Sequence, residues 1–160
     1  MINDFIEWLE ENGWKVILND EKYNVSSNVI LNKYQGLPNS FVNLLEKCHR
    51  VESNDETIWF LCGGDYFYGS EDDFKWNEFE LMSLEAAQND AEWKKEILEW
   101  WKDKLPIILS VRNGYTFYAI EIDNSGAIVK GTEPEFENAI VVANNFDDFL
   151  KKIMNKTIEL

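Results

Sequence analysis

The sequence has few of the residue types on which most catalytic and metal sites depend. It contains one histidine and two cysteines in 160 residues. A single histidine excludes a histidine pair for zinc, and any Ser-His-Asp triad would have to include His49. Cys48 and Cys62 form no Cys-x-x-Cys motif, so neither a zinc site nor a disulfide framework is indicated. We therefore predict a protein that is not an enzyme and that holds no metal or other cofactor.

Long apolar runs are also missing. No stretch approaches the ~18 apolar residues that a membrane-spanning helix needs. The N-terminal sequence MINDFIEWLEENGW carries acidic residues early, and it lacks the basic region and apolar core of a signal peptide. Together with the low cysteine content, these patterns predict a cytoplasmic location and no membrane partner.

Basic residues are scarce as well, because 15 of them stand against 30 acidic ones, for a net charge of −15. A chain this acidic repels nucleic acid phosphates and anionic lipid surfaces. A basic protein partner remains compatible with it. Two interpretations of the charge are open at this point: it only keeps the protein soluble, or it serves the recognition of a basic partner.

The apolar residues predict a single α+β domain over residues 1–160. Their spacing favours an amphipathic helix at each end of the chain, the first through Ile2 and Leu9 and the last beginning at Asn145. Between them, short strands joined by tight turns indicate an antiparallel sheet, and Asn113-Gly114 is a strong hairpin signal. We expect the helices to pack on one face of this sheet and to lie at both chain ends.

Further elements follow from the pattern between these ends. The segment GLPNSFVNLLEKC predicts a helix that directs Phe41 and Cys48 to the core. RVESNDE reads as a loop, and TIWFLCGGDYFYG as strand, Gly-Gly turn and strand. A strand is expected around Phe79–Ser83. The longest helix is expected from Glu85 to Lys104, with Pro106 ending it.

Acidic residues are concentrated between Glu52 and Glu80. This stretch contains nine acidic residues and one basic residue, Lys75. Tyrosine and tryptophan side chains interleaved with these acids are typical of a protein-binding hot spot with a charged rim. SEDDF lacks the spacing of a calcium loop, so its acids fit a solvated turn better than a metal site. The predicted partner-binding residues are Asp65, Tyr66, Tyr68, Glu71, Asp72, Asp73, Trp76 and Glu78.

The order of three segments resembles the SMI1/KNR4 (SUKH) superfamily. They are LNKYQGLPNSFVNLLEKC, WWKDKLPIILSVRNGYTFYAIEIDNSGAIVKG and VVANNFDDFLKKI, which together extend over most of the chain. HRVESNDE stands where the family often has an Asn-Gly-Gly-like turn. The resemblance implies a non-enzymatic α+β domain, similar in bacteria to immunity proteins that neutralise toxins and in fungi to signalling scaffolds. It fixes no binding residues by motif.

Three functional hypotheses follow. The first is an immunity protein that binds a basic toxin domain, such as a nuclease, through an acidic surface. The second is a regulatory scaffold with an endogenous protein partner. The third, which we favour least, is a metal-assisted hydrolase acting through Asp65, Asp72 and Asp73.

Overall fold

The computed structural model describes residues 1–70, 73–123, 126–132 and 138–160. It contains a central sheet, with a helix near each end of the chain. The helices are α1 (Ile2–Glu11), α2 (Asn39–Lys47), α3 (Glu78–Ala86), α4 (Ala91–Trp101) and α5 (Phe146–Met154). The strands are β1 (Lys15–Leu18), β2 (Cys48–Glu52), β3 (Ile58–Phe60), β4 (Lys104–Ser110), β5 (Thr116–Glu121), β6 (Ala127–Thr132) and β7 (Ile140–Ala143). Short 3₁₀ turns lie at Val25–Ser27, Leu31–Lys33 and Gly63–Asp65.

The sheet is antiparallel, and its seven strands lie side by side in chain order from β1 to β7. Each strand therefore pairs with its neighbour in sequence, and β1 and β7 are the two edges. The α+β class, the antiparallel sheet and the helices at both chain ends are confirmed. The Asn113-Gly114 hairpin joins β4 to β5 as expected, with Gly114 at a φ of 93°.

Helices cover both faces of the sheet, whereas the sequence led us to expect them on one. Phe117 and Tyr118 are consecutive in β5, so their side chains point to opposite faces. The Phe117 ring contacts Trp100 and Trp101 of α4. The Tyr118 ring contacts Phe149 of α5. The α3–α4 pair thus covers one face, and α1, α2 and α5, which contact one another, cover the other.

Two elements between β3 and β4 differ from the prediction. The expected strand at Phe79–Ser83 is part of α3, where these two residues are four apart and buried on one side of the helix. The expected long helix is two helices, because the Asp90 side chain accepts the Trp93 N–H (2.9 Å) and starts α4 as an N-cap. Pro106 does not end a helix but lies in β4, beside a break in register that accommodates its missing N–H.

Two further expectations are corrected around β2 and β3. Part of the predicted RVESNDE loop belongs to β2, whose residues pair with both β1 and β3. The chain after the Gly-Gly pair forms a 3₁₀ turn at Gly63–Asp65 and then an irregular segment, so the strand expected there is absent among the described residues. This irregular segment leads over the sheet to α3, and it shapes the site described below.

Candidate functional site

An open groove of about 810 Å³ lies on the sheet face that α3 and α4 cover only in part. Its floor is formed by the side chains of β3 and β4 on that face and by their immediate continuations. Trp59 and Leu109 are direct cross-strand partners there. Phe60, the next residue after Trp59, points to the opposite face, where its ring contacts Phe5 of α1. We call this feature the aromatic groove; its lining includes Trp59, Leu61, Asp65, Phe67, Phe74, Lys75, Trp76, Leu109, Val111 and Tyr115.

One wall of the groove is the irregular segment from Tyr66 to Trp76, of which residues 71 and 72 lie outside the described part. Its two ends meet, since the rings of Tyr66 and Trp76 lie 6.0 Å apart. The Tyr66 hydroxyl donates a hydrogen bond to the Pro106 carbonyl oxygen (2.8 Å), which fastens this base to β4. Trp76 also contacts the Tyr34 ring at 6.4 Å. The two ends of this segment, which we call the loop, thus share a buried aromatic base.

Three half-exposed aromatic side chains line the groove. Phe67 and Phe74 come from the loop, and Tyr115 from the β4–β5 turn. The Phe74 ring lies 6.3 Å from Trp59 on the floor, and it contacts Phe79 of α3 at 6.2 Å. Phe79 in turn lies 5.8 Å from Tyr115. These ring contacts join Phe74 and Tyr115 to the buried core and hold these two side chains in place.

The acidic side chains chosen from the sequence serve mainly to shape this loop. Asp65 is exposed and lines the groove, and its Oδ2 accepts the Cys62 N–H (2.7 Å). Asp73 Oδ2 accepts the Ser70 N–H (2.7 Å), a bond that lowers the pKa of Asp73. Glu78 Oε2 accepts the Lys75 N–H (3.0 Å) at the start of α3. Each carboxylate stabilises a local turn as well as carrying charge.

Other acids of the same stretch are neutralised by bases from elsewhere in the chain. Buried Glu52 accepts the Arg50 guanidinium at 2.8 Å, and Lys15 lies 3.7 Å from it. Lys15 also pairs with Glu56. Asp55 pairs with Arg112 at 2.9 Å, and that bond, with those from Ser53 and Thr57, holds the pKa of Asp55 well below its usual range. Three of the nine acids between Glu52 and Glu80 are therefore compensated by bases in the fold.

The structure separates the predicted site residues into three groups. Tyr66 and Trp76 are only 2% and 9% exposed, so the expectation that they are surface anchors is wrong; they form the base of the loop. Asp65, Tyr68 and Asp73 are exposed and Glu78 is half-buried, so these four remain candidates for direct contact. Tyr68 points away to Lys33, whose Nζ lies 5.0 Å from the ring centroid. Glu71 and Asp72 lie outside the described residues.

Sequence reasoning missed the side chains that line the groove most openly. Phe67 and Phe74 stand in the same segment as the chosen tyrosines, and a phenylalanine in a polar, irregular stretch was the signal that could have identified them. Trp59 and Tyr115 gave no such signal, because a strand tryptophan and a turn tyrosine occur in many folds. Only the position of the loop relative to β3 and β4 brings these residues together.

Few side chains among the described residues are suited to metal binding or nucleophilic catalysis. Within residues 1–70, 73–123, 126–132 and 138–160, no three His, Cys, Asp or Glu side chains come close enough together to hold a metal ion. Cys48 and Cys62 are buried core residues, as predicted, and burial raises the pKa of Cys48 to about 11. His49 is exposed, but it lies in β2 rather than at a helix end.

Comparison with known proteins adds no identification. No protein-family model matches the chain, and no curated protein matches it. Among the described residues, none of the helices combines the length and the apolar character that crossing a membrane requires.

Proposed function

We propose that this protein is a non-enzymatic protein-binding module and that the aromatic groove is its contact surface. The observation that carries the proposal is that three half-exposed rings, Phe67, Phe74 and Tyr115, line the groove together with the floor side chains Trp59 and Leu109. Contiguous exposed apolar surface on a soluble domain marks interaction sites. Aromatic side chains held rigidly within a polar rim are the residues that contribute most to protein–protein affinity.

The framework of the groove supports a pre-organised contact surface. Phe74 is held between Trp59 and Phe79, so little side-chain entropy remains to be lost when a partner packs on it. Tyr66 and Trp76 fix the loop from beneath. We therefore assign the two buried aromatic residues a positioning role and the three exposed ones a contact role.

The net charge of −15 favours a basic partner for this surface. Long-range attraction accelerates the encounter between oppositely charged proteins, and the rings then slow dissociation by burying apolar area. These properties suit an immunity protein that must capture a basic toxin domain before it acts. The toxin-neutralising role itself rests on the resemblance of three sequence segments to the SMI1/KNR4 superfamily.

The groove is tested with two alanine variants that remove equally exposed apolar side chains. Phe74→Ala changes the groove, and Leu98→Ala changes the outer side of α4; both side chains are 52% exposed. We expect a partner captured from lysate of the encoding organism by the wild type and by Leu98→Ala, but lost by Phe74→Ala. A partner bound equally by all three proteins would show that the groove is not the contact surface.

The charge and the immunity role need two separate measurements. With the purified partner, the association rate should fall steeply as salt is raised, because screening shortens the range of the attraction. A rate that stays flat with salt would remove the electrostatic part of the proposal. The immunity role predicts that an adjacent reading frame encodes a protein that stops growth, and that co-expression of this chain, but not of Phe74→Ala, restores it. A neighbouring product without toxicity would contradict that role.

A further inference from the structure

The two edge strands of the sheet differ in whether side chains of other elements form hydrogen bonds with their outer backbone groups. At β7, the Val142 carbonyl oxygen accepts a hydrogen bond from Lys152 Nζ (3.0 Å). Directly after β7, the Asn144 N–H donates to Asp148 Oδ2 (2.9 Å). Side chains of α5 therefore occupy backbone groups at this edge, which is one of the ways in which folded proteins prevent further strands from adding.

No side chain of another described element occupies the backbone groups of β1 in this way, although a break in register between Ile17 and Leu18 limits the regular edge to Lys15–Ile17. Beyond its pairing with β2, Lys15–Leu18 makes no backbone hydrogen bond to any other described residue. Ile17 is 49% exposed and Leu18 is likewise open to solvent, so the edge offers apolar side chains beside free N–H and C=O groups. Lys15 does not guard the edge, since its Nζ is held by Glu52 and Glu56 over the sheet.

The surroundings of β1 are negatively charged. Residues 1–22 contain six acids and two lysines, and both lysines pair with glutamates outside this stretch. Glu7 of α1 and Leu18 line one surface cavity, which Glu46, Lys22 and Lys47 line as well. Within residues 1–22, the acids that form no ion pair with a described residue are Glu7, Glu10, Glu11, Asp20 and Glu21.

We propose that the edge of β1 is a strand-addition site that takes an extended protein segment with alternating apolar and basic side chains. The free backbone groups would pair with the segment, the apolar side chains would cover Ile17 or Leu18, and the basic ones would meet the acids of α1 and the turn after β1. A second copy of this chain fits less well, because it would bring the same acids together.

The site is continuous with the aromatic groove. Ile17 is the cross-strand partner of Arg50, which lines the groove. A segment added to β1 would therefore lie alongside the groove floor, and one partner could use both surfaces. The inference rests on the proposed function only in that the partner is a protein.

The direct probe is a blocked eight-residue peptide of alternating valine and lysine, with binding followed by fluorescence anisotropy. We expect it to bind the wild-type protein at low salt. The same peptide with all internal amides N-methylated should bind about tenfold more weakly, because it keeps the side chains and the charge but loses the backbone donors. A valine–glutamate peptide should not bind.

Two lysine variants locate the site. Ile17→Lys should weaken binding about tenfold, because it places a positive charge on the edge that the basic peptide approaches. Val141→Lys, a 57% exposed position on the other edge, is the matched control and should leave binding unchanged. Peptide binding should also slow amide hydrogen exchange at Lys15–Leu18 and not at Ile140–Ala143, which gives a readout that needs no variant.

Four outcomes would overturn the proposal. They are no binding of the peptide, equal binding of the N-methylated peptide, equal weakening by both lysine variants, and a dimer in the free protein that Ile17→Lys abolishes, which would assign the edge to a second copy. Phe74→Ala separates this site from the groove, because it should leave peptide binding intact. The strand-addition site and the groove can thus fail independently.

Discussion

The two faces of the sheet are built from the same strands but differ in how far the helices cover them. On one face α1, α2 and α5 pack together, and the rings of Phe5 and Phe149 meet those of Phe60 and Tyr118. On the other face α3 and α4 cover β5, where the rings of α4 meet Phe117, and the floor formed by β3 and β4 remains open as the aromatic groove. We therefore expect the side chains of the covered face to contribute more to stability than those of the open floor, which the proposed function assigns to partner contact.

The largest expected effect comes from removing a ring on the covered face. Phe149 is fully buried, so Phe149→Ala should lower the free energy of unfolding by about 3–5 kcal/mol through lost burial and the cavity left behind. Phe74→Ala, on the open face, should cost less than about 1 kcal/mol. Urea unfolding of both variants measures the contrast. Equal losses would show that the groove side chains are part of the core, and the distinction between the faces would fail.

The covered face is also the part that the sequence predicts best. Helices α1 and α5 each bury one side, so their apolar residues recur at helical spacing and both helices were predicted. The predicted start of the last helix at Asn145 is confirmed, because its side chain accepts the Asp148 N–H at 2.9 Å as an N-cap. Local pattern suffices where burial is one-sided and a cap marks the boundary.

The elements of the open face were predicted less well, for a physical reason. Residues 79–81 alternate between apolar and polar, which favours a strand, yet Phe79 and Ser83 also lie on one side of a helix. The pattern fits both the two-residue repeat of a strand and the 3.6-residue repeat of a helix, and only contact with α4 and β5 decides between them. Residues 87–90 separate α3 from α4; Asp90 caps α4, and neither glycine nor proline marks the break.

At the candidate site, prediction from the sequence is limited in the same way for charged and for aromatic residues. Glu52, Asp55 and Glu56 look like free negative charge in the sequence, but their partners Lys15 and Arg112 come from distant segments. Likewise, acids flank both buried and exposed aromatic side chains in the loop. Which side of the loop a ring occupies depends on the sheet beneath it, and no local pattern encodes that.

An intermediate effect is expected from the base of the loop. Tyr66→Phe keeps the ring and removes the hydroxyl that donates to the Pro106 carbonyl, so unfolding should become easier by about 1–2 kcal/mol. If the bond positions the loop, hydrogen exchange at Phe67–Ser70 should also accelerate under native conditions, while exchange in α5 stays as in the wild type. A loss of stability with unchanged exchange in the loop would confine the role of Tyr66 to the core.

The smallest effect concerns the ion pair that joins the β2–β3 turn to the β4–β5 turn at one end of the open face. The native pKa of Asp55 is lowered, first by its hydrogen bond to Arg112, so the ionised carboxylate stabilises the fold. That contribution is complete above the unfolded pKa of about 4 and is lost progressively as the pH falls below it. Asp55→Asn should therefore lower the melting temperature slightly at pH 7, and the difference from the wild type should shrink below about pH 4.

Thermal unfolding followed by circular dichroism at pH 7, 5 and 3 measures this dependence. Asparagine keeps an oxygen for Ser53 and Thr57, so the variant isolates the charge rather than the whole hydrogen-bond cluster. High salt should reduce the difference at pH 7, because the pair is partly exposed. A difference that stays constant from pH 7 to pH 3 would mean that the carboxylate acts through its hydrogen bonds alone, and that charge does little to hold the two turns together at the end of the groove floor.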